Sequence, residues 1–161
     1  MTKEDCTRFA QYHIPRWNEL PDIDLYMDQV ISQLDKYLAP LTDEKNEHFI
    51  TASMINNYVK QHVLPAPVRK KYGRVHLAFL VATCLLKQVM SIPEIQTMLD
   101  AHLSGDGLPG AYNDFCDAQE KAFADTAAFI EKSSAACPTL AIQLALQSAA
   151  AKTMAQNLML P

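Results

Sequence analysis

Apolar residues recur at helical spacing along most of this chain, and alternating patterns typical of strands are nearly absent. The clearest example runs from Ile23 to Leu38, where apolar residues every three or four positions share one side and aspartates share the other. Pro21 and Asp22 precede this segment and Pro40 follows it, and such residues are typical of helix boundaries. The pattern therefore predicts an all-α protein with an amphipathic helix over 23–38.

A second helix is predicted after a polar and acidic loop at 41–48. Thr51 provides an N-cap hydroxyl for this helix, which we expect to continue to about Gln61. Pro65 and Pro67 then require an extended segment, because proline cannot continue a helix and disfavours helical geometry in the residue before it. The extended segment separates this helix from the elements that follow.

Residues 69–73 are basic and contain Gly73, which predicts a tight turn or short wing. The apolar positions from Leu77 to Val89 predict the next helix. Ser91 is typical of a helix N-cap, with Pro93 in the first turn that follows it.

The glycine-rich segment 104–110 is the clearest boundary in the sequence. We expect an N-terminal domain over 1–103, a linker over 104–110, and a helical hairpin over 111–161 that serves as a dimerisation or effector region. The last helix, expected at about 139–158, has Lys152 as its single charged residue. A helix so apolar around its circumference requires burial on several sides, which favours a homodimer interface.

Positive charge is concentrated in one stretch of the chain. Between Glu47 and Glu94 there are six cationic residues and no carboxylate. These residues are Lys60, Arg69, Lys70, Lys71, Arg74 and Lys87. The whole chain has a formal charge of −4, so the remainder, with 8 Lys and Arg against 18 Asp and Glu, has a charge of −10. Such segregation favours a polyanionic partner, most commonly nucleic acid.

The residue types within this stretch suit duplex DNA. Asparagine can bond adenine in the major groove, and basic side chains bind phosphates. The predicted DNA-binding residues are Ser53, Asn56, Asn57, Lys60, Arg69, Lys70, Lys71, Tyr72 and Arg74. The alternative interpretation is a solvated polar helix face beside a basic turn. For Tyr72 alone, packing against the next helix is a further alternative to a contact with sugar or phosphate.

The segment 50–67 resembles the recognition helix of MerR-type winged helix-turn-helix proteins. The matching positions are Thr51 at the cap, Ile55 at the hydrophobic position, Tyr58 at the second tyrosine, Val63 and Leu64 in the turn, Lys70-Lys71-Tyr72 at the end of the wing, and 91–95 at the next helix start. Asn56 occupies the position of the family's arginine, and His62 occupies that of its glycine. The resemblance implies a MerR-like winged helix-turn-helix with a short basic wing.

Most of the first hundred residues also resemble a bacterial family catalogued only as a domain of unknown function. The resemblance rests on Leu20-Pro21-Asp22-Ile23, Asp28-Gln29, the segment 54–60 and Leu86-Lys87-Gln88. It implies a transcription regulator of bacterial origin and no established activity.

Other chemistry has little support in the sequence. Cys6, Cys84, Cys116 and Cys137 form no Cys-x-x-Cys pair, which favours buried thiols over a zinc site, although a metal site assembled in three dimensions is an alternative. No catalytic motif is present, so we expect neither an enzyme nor a cofactor. No apolar run reaches the roughly 20 residues that a bilayer requires, and the polar N-terminus lacks a signal-peptide core. We therefore expect a cytoplasmic protein.

These observations predict a homodimeric regulator that binds duplex DNA through a recognition helix at about 52–61 and a wing at 69–74. The alternative is a protein-interaction adaptor with a degenerate winged helix that does not bind DNA, which Asn56 favours. A small-molecule effector is a third option that no motif supports. Its apolar pocket would be lined by Phe115, Phe123, Phe129 and Met154, although such a stripe is more often core.

Overall fold

The computed structural model describes residues 8–41, 48–103, 107–133 and 137–159, and the regular structure within these ranges is helical. The α-helices are α1 (Met27–Tyr37), α2 (Ala52–Lys60), α3 (Arg74–Leu86), α4 (Ile92–His102), α5 (Leu108–Lys132) and α6 (Cys137–Leu158). Short 3₁₀ helices lie at Trp17–Glu19 and Ala39–Leu41. The prediction of an all-α protein is confirmed.

The chain divides into two compact units. The first unit comprises residues 13–118 and contains α1 to α4 with the N-terminal half of α5. The second unit comprises residues up to 12 and from 119 onward, and it contains the C-terminal half of α5 together with α6.

Helix α3 is the centre of the first unit. Most of its residues are buried, including Leu77, Leu80 and Val81, which are fully enclosed. Helices α1 and α4 both pack against it, and α2 packs against α1. The helix ends at Leu86 and does not continue to Val89, which is partly exposed. Ser91 starts α4 as predicted, because its N–H and hydroxyl both donate to the Glu94 carboxylate, at 2.7 and 2.6 Å.

Helix α1 begins at Met27, four residues later than its amphipathic pattern predicts. The reason is that the backbone of Leu25 is engaged elsewhere, in an isolated antiparallel bridge with Tyr72. Gln29 then caps the shortened helix by accepting a hydrogen bond from the Tyr26 N–H at 2.8 Å. Ile23, predicted to lie on the buried face, is consequently 64% exposed.

The C-terminal end of α2 is closed by a Schellman motif. The N–H of Val63 donates to the carbonyl of Tyr58 at 3.0 Å, and the N–H of His62 donates to that of Val59 at 3.1 Å. This motif requires a left-handed residue at the position of His62, whose φ is 59°. His62 therefore occupies, at a steric cost, a position that favours glycine.

The N-terminal half of α5 belongs to the first unit and packs on residues 14–17. Asn113 Oδ1 accepts a hydrogen bond from the Trp17 N–H at 2.8 Å, and Asp117 pairs with Arg16 at 2.7 Å. Tyr112 is fully buried with its ring edge-on to Trp17. The helix begins at Leu108, three residues before the expected start, so 108–110 of the expected linker are helical. Residues 104–106 of that linker lie outside the described ranges.

In the second unit, aromatic rings pack together at one end, and most residues of α6 are exposed. The Phe123 ring stacks on Phe9 at 5.7 Å and meets Tyr12 edge-on at 5.6 Å. Phe129 and Met154, expected beside Phe123 in an apolar effector pocket, are both exposed. Those residues therefore do not form one buried apolar stripe.

The described ranges contain three of the four cysteines, and their burial differs. Cys84 and Cys116 are buried as predicted, whereas Cys137 is exposed, and Cys6 lies outside these ranges. No group of three or more His, Cys, Asp or Glu side chains in the described part of the chain could hold a metal ion. No helix there combines the length and apolar character that a membrane crossing requires.

The strained cap of α2 yields a stability prediction. Replacing His62 with glycine relieves the left-handed backbone and should raise the free energy of unfolding by roughly 0.5–1 kcal/mol, after the larger entropy of an unfolded glycine is deducted. Urea unfolding should show a higher midpoint at an unchanged slope. The control is His62→Ala, which retains the Cβ and should not be stabilised. A glycine variant that is less stable than His62→Ala by about 0.4–1 kcal/mol, the entropy cost of glycine alone, would show that the backbone at this position is not strained.

Candidate nucleic-acid interface

Helix α2 presents one apolar and one polar face, as its sequence predicts. The Thr51 hydroxyl accepts a hydrogen bond from the Met54 N–H at 3.3 Å and starts the helix. Ile55 and Tyr58 face inward and are buried. The predicted DNA-contacting residues of this helix are all exposed, namely Ser53, Asn56, Asn57 and Lys60.

The two asparagines on this face are not equivalent. The Asn57 side-chain oxygen accepts a hydrogen bond from Gln61 Nε2 at 3.3 Å, one helical turn further on. That bond orients the Asn57 amide while its NH₂ group can still donate. A bidentate contact to an adenine requires both the donor and the acceptor of one amide. Asn56 is therefore the better placed of the two for such a contact.

The basic turn is a two-residue hairpin closed by Val68 and Lys71. Each N–H of this pair donates to the other's carbonyl, at 3.1 and 3.0 Å. The central residues Arg69 and Lys70 have φ angles of 51° and 64°. Positive φ at both positions defines a type I′ turn, which normally has Asn-Gly or another glycine-containing pair. Two long cations occupy this turn at a steric cost, and both side chains are exposed.

Tyr72 anchors this turn to the rest of the first unit. Its N–H and carbonyl exchange hydrogen bonds with those of Leu25, both at 2.9 Å. Its side chain is 3% exposed, and its ring is edge-on to His76 at 5.4 Å. Tyr72 therefore packs against His76 at the start of α3, which is the alternative that the sequence leaves open for this residue.

His76 contacts the chain on both sides of the turn, at Ala66 before it and at Gly73 after it. Its Nδ1 accepts a hydrogen bond from the Gly73 N–H at 3.0 Å, so the neutral ring carries its hydrogen on Nε2. That nitrogen lies 3.4 Å from the carbonyl of Ala66, which can accept the hydrogen. The ring thus ties the proline-containing segment to the start of α3, and His76 has a structural role.

Two of the predicted cationic contacts are partly engaged by aromatic rings. Lys71 Nζ lies 5.1 Å from the centroid of the Tyr26 ring, and the Arg74 guanidinium carbon lies 5.8 Å from that of Trp17. Both cationic side chains are half-buried. Arg74 Nε is buried without a hydrogen-bond partner among the described residues. Arg69 and Lys70 are therefore the cations of the turn that are most accessible to a phosphate.

Sequence reasoning did not identify the residues that surround these cations. Tyr26 and Trp17 lie far from Lys71 and Arg74 along the chain, so no local motif links them. Asp24 is a further neighbour, because a Cβ placed on Gly73 would lie 3.0 Å from its Oδ1 atom. This exposed carboxylate reduces the positive potential around the turn.

The first unit thus defines an all-α module with an exposed amide-bearing helix and a strained basic turn. Residues 15–115 match the family described as Domain of unknown function (DUF1836), and the chain belongs to this family. The matched region nearly coincides with the compact unit 13–118. No curated protein and no solved structure matches the chain significantly.

The backbone of the basic turn yields a second stability prediction. Replacing Arg69 with Asn and Lys70 with Gly installs the pair that a type I′ turn prefers, and should stabilise the protein by about 1 kcal/mol. The comparison is Arg69→Ala with Lys70→Ala, which removes the same charges and retains both Cβ atoms. Urea unfolding should place the Asn-Gly variant above both the wild type and the double-Ala variant. If both variants gained the same free energy of unfolding, the stabilisation would come from the removal of the two charges and not from the backbone.

Proposed function

We propose that this protein is a DNA-binding regulator that binds duplex DNA as a homodimer through α2 and the basic turn 69–74. The observation that carries the proposal is the strained turn, in which Arg69 and Lys70 are exposed at left-handed backbone positions. Unfavourable backbone geometry that the surrounding structure enforces is characteristic of functional sites. A strained turn with exposed cations fits a phosphate contact.

The two parts of the proposed interface have different tasks. Arg69 and Lys70 would bind phosphates, which supply affinity and position without reading sequence. Ser53, Asn56 and Lys60 lie on the polar face of α2 and would enter the major groove. The order of α2, extended segment, hairpin and α3 supports a MerR-like winged helix-turn-helix with a very short wing.

A homodimer is the second part of the proposal, and it rests on α6. Exposed apolar residues recur along this helix at four-residue spacing, which forms a ridge suited to packing against another helix. They are Ile142, Leu146, Met154 and Leu158, with Ala150 between them, and Leu146 and Leu158 are 65% and 87% exposed. Helix-turn-helix proteins gain affinity by binding two half-sites as dimers, so a second copy is the expected partner of this ridge.

The alternative function is a protein-interaction adaptor whose winged helix does not bind DNA. The observation that favours it is the environment of the turn, where Asp24 is close and where Lys71 and Arg74 are partly engaged by aromatic rings. An adaptor would use the same exposed surface without the salt dependence of phosphate binding. The DNA experiment below distinguishes the two functions.

The DNA proposal predicts binding to random-sequence duplex that weakens steeply between about 50 and 200 mM salt. Replacing Arg69 with Asn and Lys70 with Gly should reduce affinity and lower the log-log salt slope by about 0.9 for each phosphate that the protein no longer binds. Because this variant retains the turn, weaker binding cannot be attributed to unfolding. Fluorescence anisotropy at several salt concentrations measures both quantities.

Asp24→Asn serves as a control of opposite sign in this experiment. Removing a carboxylate beside the turn should strengthen DNA binding, since phosphates are then repelled less. If the wild type does not bind duplex at low salt, the DNA proposal is wrong and the adaptor is favoured. If the Asn-Gly variant and Asp24→Asn both bind as the wild type does, the DNA surface lies elsewhere.

The dimer proposal predicts that Leu146→Asp produces monomers, because it places a charge in the middle of the apolar ridge. The matched control is Gln147→Asp, which adds the same charge to the next residue of α6, an exposed polar position. Sedimentation over a wide series of protein concentrations, together with circular dichroism, separates dissociation from unfolding. A wild-type protein that remains monomeric at every concentration would refute the dimer.

A further inference from the structure

A cleft of about 240 Å³ lies behind the proposed recognition helix. Its walls come from the inner face of α2, the C-terminal end of α3 and the segment that precedes α2. The lining residues are Phe49, Met54, Tyr58, Cys84, Lys87 and Gln88. An apolar cavity of about 150 Å³ is large enough to hold benzene, so this cleft has room for a small organic molecule.

Tyr58, one of the lining residues, has an unsatisfied polar atom beneath the surface of the cleft. The residue is 2% exposed, and its hydroxyl oxygen is buried without a hydrogen-bond partner among the described residues. Burial, with a smaller effect of Cys84, raises the pKa of Tyr58 to about 12, so the hydroxyl stays protonated and can donate at neutral pH. A buried polar group of this kind is normally satisfied, and a bound acceptor would satisfy it here.

Lys87 gives the cleft a positive charge. Its ammonium nitrogen lies 5.9 Å from the centroid of the Tyr58 ring, and the side chain is exposed. None of the lining residues in the described part of the chain has a carboxylate. Asp35, which acts electrostatically on Cys84, already accepts hydrogen bonds from the Phe49 N–H at 2.9 Å and from His48 at 2.6 Å. Among the described residues, the lining of the cleft thus includes a cation and a tyrosine with an unpaired hydroxyl, and it includes no carboxylate.

The remaining walls are apolar. Phe49 and Met54 supply hydrocarbon and thioether surface, to which Met adapts readily. Burial raises the pKa of Cys84 to about 12, so this thiol is neutral at physiological pH and behaves as a small apolar group. These walls suit the body of a ligand, while Lys87 and Tyr58 suit its polar end.

We propose that this cleft binds a small monocarboxylate with an aromatic or branched aliphatic body. The carboxylate would pair with the Lys87 ammonium and accept the hydrogen of the Tyr58 hydroxyl. The apolar body would lie between Phe49 and Met54. This site is distinct from the apolar stripe in 111–161 that the sequence suggested for an effector.

Occupation of the cleft would act on DNA binding through α2 itself. Met54 and Tyr58 line the cleft from the inner face of the helix whose outer face has Ser53, Asn56 and Asn57. A ligand that contacts the inner face changes the DNA affinity to the extent that it favours one position of α2 over another. This regulatory consequence rests on the proposed DNA-binding function, whereas ligand binding itself does not.

Isothermal titration calorimetry without DNA tests the site directly. The probes are benzoate and phenylacetate, with benzyl alcohol as the uncharged comparison. We expect both carboxylates to bind the wild type and the alcohol to bind at least about tenfold more weakly. Lys87→Gln should remove that preference, and Tyr58→Phe should weaken both carboxylates by about tenfold. Lys36→Gln, an exposed lysine on α1 outside the cleft, is the matched control and should bind as the wild type does.

The folded state of the Tyr58 variant can be checked independently. Tyr58→Phe retains the ring and removes the unsatisfied hydroxyl, so its thermal midpoint without ligand should equal or exceed that of the wild type. The proposal is overturned if neither carboxylate binds the wild type, or if Lys87→Gln and Tyr58→Phe both bind the carboxylates unchanged. A separate anisotropy titration with benzoate then tests whether DNA affinity changes, and its failure would leave the ligand site established.

Discussion

The paired backbone hydrogen bonds between Leu25 and Tyr72 are the constraint on which the 13–118 unit depends. They join the residues before α1 to the residues before α3, across the whole of α1 and α2. Closing so long a loop costs conformational entropy, which the buried side chains of both residues offset. The bridge determines where α1 begins and where the chain turns toward α3.

The same bridge explains how a strained turn persists at the surface. Arg69 and Lys70 would relax to negative φ if the hairpin were free, but Tyr72 on one side is tied to Leu25. On the other side, His76 lies within hydrogen-bonding distance of Ala66 while it accepts from Gly73. The favourable packing and hydrogen bonds of the unit thereby offset the cost of holding Arg69 and Lys70 at positive φ.

The two faces of α2 link the proposed DNA surface to the proposed ligand site. The outer face has amide and ammonium groups, and the inner face contributes Met54 and Tyr58 to the cleft. Helix α3 adjoins both sites. Its N-terminus follows the basic turn, and its C-terminal end supplies Cys84 and Lys87 to the cleft. Helices α2 and α3 thus contain the groups for the proposed DNA recognition and for its proposed control by a ligand.

Local signals in the sequence were sufficient for the presence of the helices, for the Thr51 cap, for the start of α4 at Ser91 and for the polar face of α2. Each depends on residues within one or two helical turns, so spacing and side-chain chemistry determine it. The start of α1 and the burial of Tyr72 depend on the pairing of Tyr72 with Leu25, which lies far away along the chain. The aromatic contacts of Lys71 and Arg74 and the cleft beside Tyr58 and Lys87 likewise depend on contacts between distant segments. No local pattern encodes such contacts, because they exist only once packing has brought those segments together.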